Sequence, residues 1–568
     1  MPDIVRVNMR SGEITRHDNK GYELLGGRAL SARLLLDEVD PTCEPLGAFN
    51  KLVIANGIFA GTPASSGSRT SIGAKSPLTN GIKEANVGGN FSWILGRLGI
   101  RAIVVEDLPQ NDHAHVLIVT PDEIKLEVRD DLKYLGTYDT TNKLLEQYGK
   151  NASVLCIGPA GERMLRAASV AVSDPQGELK FAARGGLGAV MGSKGLKAIV
   201  AVGGKVNKIK YHDQEAFMAA ARKYTTALAT SDKVVNVTQK LGTNSIFKAV
   251  NAMGALPTRN FSQGSFEYVD NLSGETLYET IVKRGGEGRT GMTCMNGCAI
   301  KCSNIYPDEN GKKICSTVQY ENVALLGSNC GMTNLDDVAR LNHACNDLGL
   351  DTIEMGATIG VAMEMGLAEF GDVEGALKLF QEIYDNTPLG RILGNGALVT
   401  GEVLGCRRIP VAKGQAFAGY DPRALKGNGV TYAVSPMGAD HTAGNCFGAR
   451  NEVDPLGTTK QGDLSRNTQI KITTLDCLGI CMFARPPLFA EPELLATMVN
   501  ALLGTELSVD DIWQIGYDTI KMERQFNLAA GISPAQDKLP EFVYTEKLEP
   551  TGSVFDLSPE EVSKGIVE

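Results

Sequence analysis

The sequence predicts an α+β fold, with a β-rich N-terminal domain followed by two mostly helical domains. Before about residue 205, β-branched runs alternate with glycine-containing turns, as in KLVIANGIF (51–59) and KAIVAVGG (197–204), which is typical of strands. Beyond residue 206, apolar residues recur at helical spacing, as in EAFMAAARKYTTALA (215–229). A chain of 568 residues is also long enough for several domains.

We place the β-rich domain at residues 1–205 and the first helical domain at 206–410. The second helical domain then spans 411–568, because helical periodicity is lost near 405–425, where glycine and proline accumulate. The segment after residue 535 is polar and interrupted by proline. We therefore expect it to form a surface tail.

The composition excludes several classes of protein. Apolar residues make up 43% and charged residues 21%, as in globular proteins and unlike disordered chains. The 56 basic and 66 acidic residues give a net charge of −10, so we expect no nucleic-acid partner. No apolar run reaches the ~18 residues of a membrane span. The N-terminal residues lack the pattern of a secretion signal, and we expect a cytoplasmic location.

The strongest local motif is TCMNGCAIKCSN (293–304), in which Cys294, Cys298 and Cys302 are spaced four residues apart. Disulfides are not expected in such a chain, so metal binding by these thiols gains weight. An iron–sulfur cluster needs a fourth thiolate from elsewhere, and zinc is the alternative metal. A radical-SAM cluster would need a shorter second gap. A core helix lined by three cysteines is disfavoured by the polar and glycine residues between them.

Two hexapeptides, at 346–351 and 476–481, have the same form. Each begins with Asn or Asp, has a glycine three residues later, and continues with Leu or Ile and then Asp or Cys. Both follow a predicted helix, so each would place a glycine bend and two polar side chains at a helix end. Two such loops could bind two similar ligands.

The glycine-rich segment RGGLGAVMGSK (184–194) offers free N–H groups beside Arg184, Lys194 and Lys197. Such a segment suits a phosphate ester, although the spacing of a dinucleotide-binding motif is absent. A tight turn between packed elements explains the glycines equally well.

Two side chains are candidates for proton chemistry. His441 lies in the small-residue loop SPMGADHTAG (435–444), where a hydrogen-bonded structural role is the alternative. Glu321 lies in the largely apolar stretch VQYENVALLGSNCG (318–331). A carboxylate buried there would have a raised pKa and could exchange protons near neutral pH. The spacing alone favours an exposed Glu on an amphipathic helix.

Taken together, ordered motifs from about residue 20 to 545 resemble the aldehyde:ferredoxin oxidoreductase family of tungsten-bispterin enzymes. The segments that carry the resemblance are GGRALSARLL (26–35), SRTSIGAKSPLTNGIKEANVGGNF (68–91), ARGGLGAVMGSKGLKAI (183–199), GALPTRNF (254–261), the cysteine motif, QYENVALLGSNCG (319–331), CNDLGLDTIEMG (345–356), YDPRALKGNG (420–429) and DCLGIC (476–481).

The resemblance implies a specific set of cofactors. The β-rich domain would cradle two molybdopterin molecules, and the two helical domains would cover them. Four dithiolene sulfurs would hold one tungsten, or molybdenum in its place, without a side-chain ligand. A Mg²⁺ ion would bridge the two pterin phosphates, and a [4Fe–4S] cluster would lie close to one pterin.

The resemblance also implies roles for individual residues. The cluster ligands would be Cys294, Cys298, Cys302 and Cys481. Asn346, Asp351 and Asp476 would hydrogen-bond the pterin rings, with Ile480 also at the cofactor, and Arg69 and Arg184 would pair with the phosphates. Asn86 and the carbonyl of Gly185 would complete the Mg²⁺ shell, and Glu321 and His441 would stand beside the tungsten.

This sequence departs from the family pattern in three places. The cysteine motif begins C-x-x-x-C where the family has C-x-x-C, and Cys477 is a possible substitute ligand. The first hexapeptide opens with Asn346 where aspartate is commoner. The chain ends soon after LPEFVYTEKLEP (539–550), without the family's long helical tail.

The function that the resemblance implies is oxidation of an aldehyde, with water, to a carboxylic acid. Glu321 would be the base and His441 the hydrogen-bond donor, and electrons would pass through the cluster to ferredoxin or a small iron–sulfur subunit. Two alternatives stay open. One is a low-potential reductase of the same family, like an aromatic-CoA reductase, and the other is a non-catalytic iron–sulfur electron-transfer subunit. A homodimer is also compatible with the family.

Overall fold

The computed structural model describes residues 2–568 and confirms the predicted α+β class. Within residues 2–205 the chain forms two six-stranded sheets. In chain order, their strands are β1 (Asp3–Asn8), β2 (Ile14–Asp18), β3 (Leu52–Asn56), β4 (Thr70–Lys75), β5 (Ile82–Val87), β6 (Ile100–Glu106), β7 (His115–Val119), β8 (Ile124–Val128), β9 (Ala152–Cys156), β10 (Val170–Ser173), β11 (Leu179–Ala182) and β12 (Leu196–Val202). The helices between them are α1 (Gly27–Glu38), α2 (Phe91–Arg97), α3 (Thr137–Tyr148), α4 (Pro159–Glu162) and α5 (Leu187–Ser193).

The two sheets have the same topology. The first has the strand order β2-β1-β6-β3-β4-β5, and the second has β8-β7-β12-β9-β10-β11. In each sheet the first strand pairs antiparallel with the second and parallel with the last. Their inner faces share one apolar core that includes Val5, Ile54, Leu117 and Leu155. The N-terminal region is therefore built from two copies of one unit.

Helices dominate the chain after residue 205. They are α6 (Gln214–Ala229), α7 (Gln239–Leu241), α8 (Phe247–Ala252), α9 (Gly274–Arg284), α10 (Tyr320–Asn322), α11 (Leu335–Leu348), α12 (Thr352–Glu364), α13 (Val373–Tyr384), α14 (Pro388–Gly394), α15 (Ala397–Leu404), α16 (Lys426–Val434), α17 (Gln461–Leu478), α18 (Pro486–Ala490), α19 (Glu493–Leu503), α20 (Val509–Ala529), α21 (Phe542–Thr545) and α22 (Pro559–Ser563). Short strands accompany them: β13 (Arg289–Met292), β14 (Ser303–Pro307), β15 (Lys313–Ser316), β16 (Val411–Ala412) and β17 (Gln415–Ala416). Single π-helical turns span Lys233–Thr238 and Val323–Gly327.

The long helices α11 and α17 end on the two sheets in the same way. Each ends at a left-handed glycine, Gly349 or Gly479, as the hexapeptide pattern predicts. The carbonyl of Gly349 accepts a hydrogen bond from Ser169 N (2.8 Å), and that of Gly479 accepts one from Arg69 N (3.0 Å). Ser169 and Arg69 each directly precede the fourth strand of their sheet. The two helix ends thus occupy equivalent positions on the duplicated unit.

Both docking points require glycine. Gly479 has φ +81°, and a Cβ there would lie 3.0 Å from Gly57 Cα. Gly349 has φ +72°, and its Cβ would lie 2.6 Å from Gly158 N. Because backbone meets backbone at each point, no side-chain rearrangement could make room for a larger residue.

Two expectations from the sequence are wrong. The segment after 535 is not a surface tail, because Phe542, Val543, Leu548 and Phe555 are buried in the largest apolar core. The apolar residues that pack into the core are widely spaced among polar residues and prolines, so the sequence pattern did not indicate a buried segment.

The spacing of Asp351 and Glu354 in the sequence also predicts a capping box at the start of α12, and this box does not form. Asp351 caps the helix by accepting from Ile353 N (2.9 Å). The partner expected in the box, Glu354, is instead fully buried and accepts hydrogen bonds from Ala397 N (3.0 Å) and Ala416 N (2.9 Å). These bonds connect α12 to α15 and β17, and burial raises the pKa of Glu354 to about 7.

No helix within residues 2–568 has both the length and the apolar character that crossing a bilayer requires.

We expect Gly479→Ala to lower the urea midpoint of unfolding far more than Gly405→Ala does. Gly405 also ends a helix in the left-handed conformation, with φ +74°, but a Cβ there meets nothing within 4 Å. The control variant should therefore cost only the ~1–2 kcal/mol of a left-handed alanine. Gly479→Ala adds a backbone clash and should cost at least ~3 kcal/mol in total. Equal midpoints for the two variants would contradict the proposed close contact.

Candidate active site

One cavity of about 890 Å³ brings most of the predicted site residues together. Its wall includes parts of the N-terminal sheets, both helix-end loops and segments from the helical region. The predicted residues in its wall are Arg69, Asn86, Arg184, Cys294, Cys302, Glu321, Asn346, Asp351, His441, Asp476 and Cys481. Of the predicted residues in the described chain, Cys298, Gly185 and Ile480 lie outside this wall.

Each helix-end loop presents a carboxylate beside an arginine. Asp351 Oδ2 accepts from Arg184 Nε (3.4 Å), and Asp476 Oδ2 accepts from Arg28 Nη1 (3.4 Å). Arg28 also pairs in bidentate fashion with buried Glu523, at 2.7 and 2.8 Å. Two loops that bring carboxylate acceptors to one cavity from equivalent positions can hydrogen-bond two similar ring systems that carry N–H donors, as paired pterins do.

A second carboxylate, Glu84 on β5, lies beside Asp476. Burial raises the pKa of both groups, and their mutual repulsion raises that of Asp476 further, whereas Arg28 acts in the opposite direction. Glu84 also accepts from Ser71 Oγ (2.6 Å). The pair thus retains a proton more readily than two isolated carboxylates would.

Lys83, the neighbour of Glu84 on β5, forms a fully buried ion pair with Asp440. Burial alone would raise the pKa of Asp440, but Lys83 and Arg184 hold it well below its usual range. Analysis of the sequence missed Glu84 and Lys83. The sequence pattern could have revealed them, because two adjacent charged residues lie inside a strand whose flanking residues are buried. Charged side chains are buried in such a strand only when they are paired.

The four predicted cluster cysteines lie in one apolar cluster, and two of them contact the loop at residues 61–68 of the N-terminal domain. Ser66 Oγ lies 3.5 Å from Cys298 Sγ, and the carbonyl of Ser66 accepts from Cys481 N (2.9 Å). Cys294 is held by its carbonyl, which accepts from Gly89 N (2.7 Å). A hydrogen bond with Cys294 lowers the pKa of Cys298 to about 6, whereas burial raises that of Cys302 to about 12.

These thiols do not form a compact site for a single metal ion. Within residues 2–568, no three His, Cys, Asp or Glu side chains converge closely enough for a single ion, as zinc with its ~2.3 Å bonds to sulfur would require. The possible substitute Cys477 is fully buried, and its Sγ lies 3.5 Å from Thr519 Oγ1, away from the cavity wall. The geometry therefore favours the quartet that includes Cys481.

Glu321 and His441 face each other across the cavity wall, with Glu321 Oε1 3.3 Å from His441 Nε2. The other carboxylate oxygen, Oε2, accepts from Gly419 N (2.8 Å). Glu321 Oε1 and His441 Nδ1 are buried and have no hydrogen-bond partner among residues 2–568. Free buried polar atoms are costly, so these two point to a ligand in the cavity.

The preference for an exposed Glu321, based on spacing alone, is wrong, because this side chain is only 16% exposed. Helix α10 contains just Tyr320–Asn322 and continues as a π-helical turn. The periodicity of a regular helix therefore does not apply to this segment.

The glycine-rich segment contributes one cation to the cavity rather than three. Arg184 lines it, but Lys194 donates to the carbonyls of Gly47 (3.0 Å) and Asn50 (2.6 Å). Lys197 forms a buried ion pair with Glu162 (2.6 Å). These lysines connect structural elements, so the suggested phosphate site is limited to the Arg184 end of the segment.

The sequence matches known proteins over nearly its whole length. A family model described as "Aldehyde ferredoxin oxidoreductase, N-terminal domain" matches residues 4–203, and one for domains 2 and 3 of the same protein matches residues 219–564. Tungsten-containing aldehyde ferredoxin oxidoreductases from Pyrococcus horikoshii and Thermococcus kodakarensis are both 32% identical to this chain. The alignments cover 94% and 96% of this chain, and 90% and 92% of the respective relatives.

A solved structure has a similar fold. It is described as the active site complex BamBC of benzoyl coenzyme A reductase in complex with 1,5-dienoyl-CoA, and the TM-score is 0.80 at 19% identity. The similarity covers 99% of this chain and 93% of that chain. On the family matches and the shared identity, the chain belongs to the aldehyde ferredoxin oxidoreductase family of enzymes.

Proposed function

We propose that this protein is a tungsten-bispterin oxidoreductase that converts an aldehyde and water into a carboxylic acid, two protons and two electrons. The observation that carries the proposal is the Glu321–His441 pair, whose free buried atoms Oε1 and Nδ1 lie at the cavity that is also lined by three of the four predicted cluster cysteines. The cavity thus combines groups for proton transfer with thiols for electron transfer.

The wall residues fit the cofactor. Asn346, Asp351 and Asp476 would hydrogen-bond the two pterin rings, with the backbone around Ile480 adjoining the second. A tungsten-bispterin group supplies two-electron oxidation chemistry when it is bound, so the protein must bind substrate, orient it and transfer protons. Molybdenum would use the same protein contacts.

The phosphate end of the cofactor would lie near Arg69 and Arg184, whose guanidinium groups suit phosphate oxygens. Arg69 also donates to the carbonyl of Asn86 (2.7 Å). Asn86 and the carbonyl of Gly185 would provide oxygen ligands to Mg²⁺. Ser76 Oγ already donates to the Gly185 carbonyl (2.7 Å), and the second lone pair of that oxygen stays available.

Glu321 is positioned to act as the general base. Its Oε2 is held by Gly419 N, which leaves Oε1 free to accept a proton from water or from the aldehyde hydrate. His441 would donate a hydrogen bond from Nδ1, its ring nitrogen without a partner, to the substrate oxygen and so stabilise its developing charge. The neighbouring ring of Tyr420, 6.1 Å from that of His441 between centroids, limits access of bulk water.

The electrons would leave singly through a [4Fe–4S] cluster held by Cys294, Cys298, Cys302 and Cys481. Arg69 lines the cavity and is close enough to Cys481 and Cys294 that both raise its pKa against the effect of burial. A ferredoxin or a small iron–sulfur subunit would then accept the electrons.

Glu321→Gln should reduce aldehyde turnover at least ~100-fold while metal content stays the same. Glutamine can still accept from Gly419 N but cannot take up a proton. Dye-coupled kinetics with a panel of aldehydes, together with elemental analysis of each preparation, tests this. Glu374→Gln, an exposed position paired with Arg340, serves as the control for loss of one negative charge. Full turnover by the Glu321→Gln variant would show that Glu321 is not the general base.

Cys481→Ala should lose most of its cluster iron, whereas Cys477→Ala should keep it. Both cysteines are buried near the end of α17, but only Cys481 is expected to bind the cluster. Iron analysis and electron paramagnetic resonance of the reduced proteins measure the difference. Loss of iron from the Cys477 variant alone would reassign the fourth ligand.

Elemental and pterin analysis of anaerobically purified protein distinguishes the remaining alternatives. The proposal predicts tungsten or molybdenum together with pterin and iron. Iron without pterin or either metal would instead identify a non-catalytic electron-transfer subunit. A fully loaded protein that oxidises no aldehyde would indicate a reductase with another substrate.

A further inference from the structure

Apart from Arg69, which is assigned to the cofactor, three cations in the cavity wall lack a carboxylate partner among residues 2–568: Lys233, Arg450 and Arg485. Arg450 donates from Nη1 to the carbonyl of Phe447 (3.0 Å), and Arg485 donates from Nη1 to that of Met482 (2.7 Å). A guanidinium has five donors, so most of the donors on each arginine stay available.

Apart from Glu321, the acidic groups in the same wall already pair with cations. Asp351 pairs with Arg184, Asp440 with Lys83 and Asp476 with Arg28. Lys180, a further cation of the wall, pairs with Asp174. The charge left unmatched in this part of the cavity is therefore positive.

The free arginines lie on the same side of the cavity as His441, separated from it by aromatic rings. The Tyr420 ring centroid is 6.1 Å from that of His441 and 6.0 Å from that of Phe447. The guanidinium carbon of Arg450 lies 4.1 Å from the Phe447 centroid. A substrate with its carbonyl at His441 could thus pass over two rings and reach Arg450.

Arg485 approaches the same place from another direction. Its Nη2 lies 3.3 Å from the position of a Cβ on Gly448, two residues before Arg450. Burial lowers the pKa of Arg485, although Cys481 and Tyr420 act in the opposite direction. A desolvated guanidinium without a carboxylate is costly, so an anion is needed to complete this part of the wall.

We propose that the substrate is an aldehyde with an oxyanion group, such as a carboxylate or sulfonate, at its far end. Arg450 and Arg485 would bind that group, and the rings of Tyr420 and Phe447 would contact the hydrocarbon between it and the carbonyl. Guanidinium groups suit this role because their paired N–H donors match carboxylate and sulfonate oxygens. The inference rests on the proposed aldehyde oxidation and specifies its substrate class.

The kinetic test compares aldehydes of equal length that end in a carboxylate, a sulfonate or a methyl group. The wild-type holoenzyme should have at least ~10-fold higher kcat/KM for one of the anionic aldehydes than for the methyl-ended one. The KM for that substrate should rise with ionic strength. Whichever of the two anionic aldehydes has the higher kcat/KM identifies the oxyanion group.

Variants then test which residues cause the preference for an anionic aldehyde. Arg450→Met and Arg485→Met should each reduce the anionic-to-neutral ratio of kcat/KM about 10-fold, and the lysine variants should restore part of it. Arg222→Met is the matched control, since Arg222 is an exposed residue of α6 outside the cavity wall. Its ratio should equal that of the wild type.

A binding measurement tests the anion site without enzyme turnover. Calorimetry should detect binding of the dicarboxylate product of the carboxylate-ended aldehyde, weakened at least ~10-fold in either methionine variant. Equal kcat/KM for all three aldehydes, or binding unaffected by both variants, would overturn the inference. Loss of metal or pterin from the arginine variants would also overturn it, because the arginines would then bind the cofactor. Failure to oxidise any aldehyde contradicts the proposed function instead, and the calorimetry still decides whether the anion site exists.

Discussion

The active-site cavity depends on two backbone contacts, Gly479 against Gly57 and Gly349 against Gly158. Each contact holds the end of a long helix on one of the two topologically identical sheets, and the residues that follow each glycine enter the cavity wall. Because these contacts involve backbone atoms alone, they place Asp351 and Cys481 without dependence on flexible side chains. The two helices and two sheets therefore position the functional groups more rigidly than a surface loop could.

Electrostatics around the cavity follows from this packing. Burial would make isolated charges unfavourable, so Arg28, Lys83 and Arg184 each pair with carboxylates brought from distant parts of the chain. Such pairs fix the positions of the groups that they join. The atoms left without partners, on Glu321 and His441, are then those that a substrate or cofactor must satisfy.

Short-range patterns in the sequence were sufficient to predict the fold class, the cysteine motif and the two glycine-ended helices, because each depends on local spacing. The buried pair Lys83–Asp440 joins residues 357 positions apart and has no local pattern. The repeated sheet unit was also not predicted, since its two copies share topology without an evident repeat in sequence. Glu321 and the segment after 535 were misjudged because a π-helical turn and scattered core anchors break regular periodicity. The boundary between the helical domains at 410/411 stays a prediction.

The duplicated unit has symmetric architecture but asymmetric chemistry. At the last position of the two equivalent loops, one copy has Asp351 and the other has Cys481. Thiolates are the usual ligands of iron–sulfur clusters, so Cys481 suits a cluster better than Asp351 does. Under the proposed function, two chemically identical halves of a cofactor would thus become inequivalent through a single residue, and only one of them would adjoin the electron outlet. The direction of electron transfer would then depend on this residue difference and not on the shape of the fold.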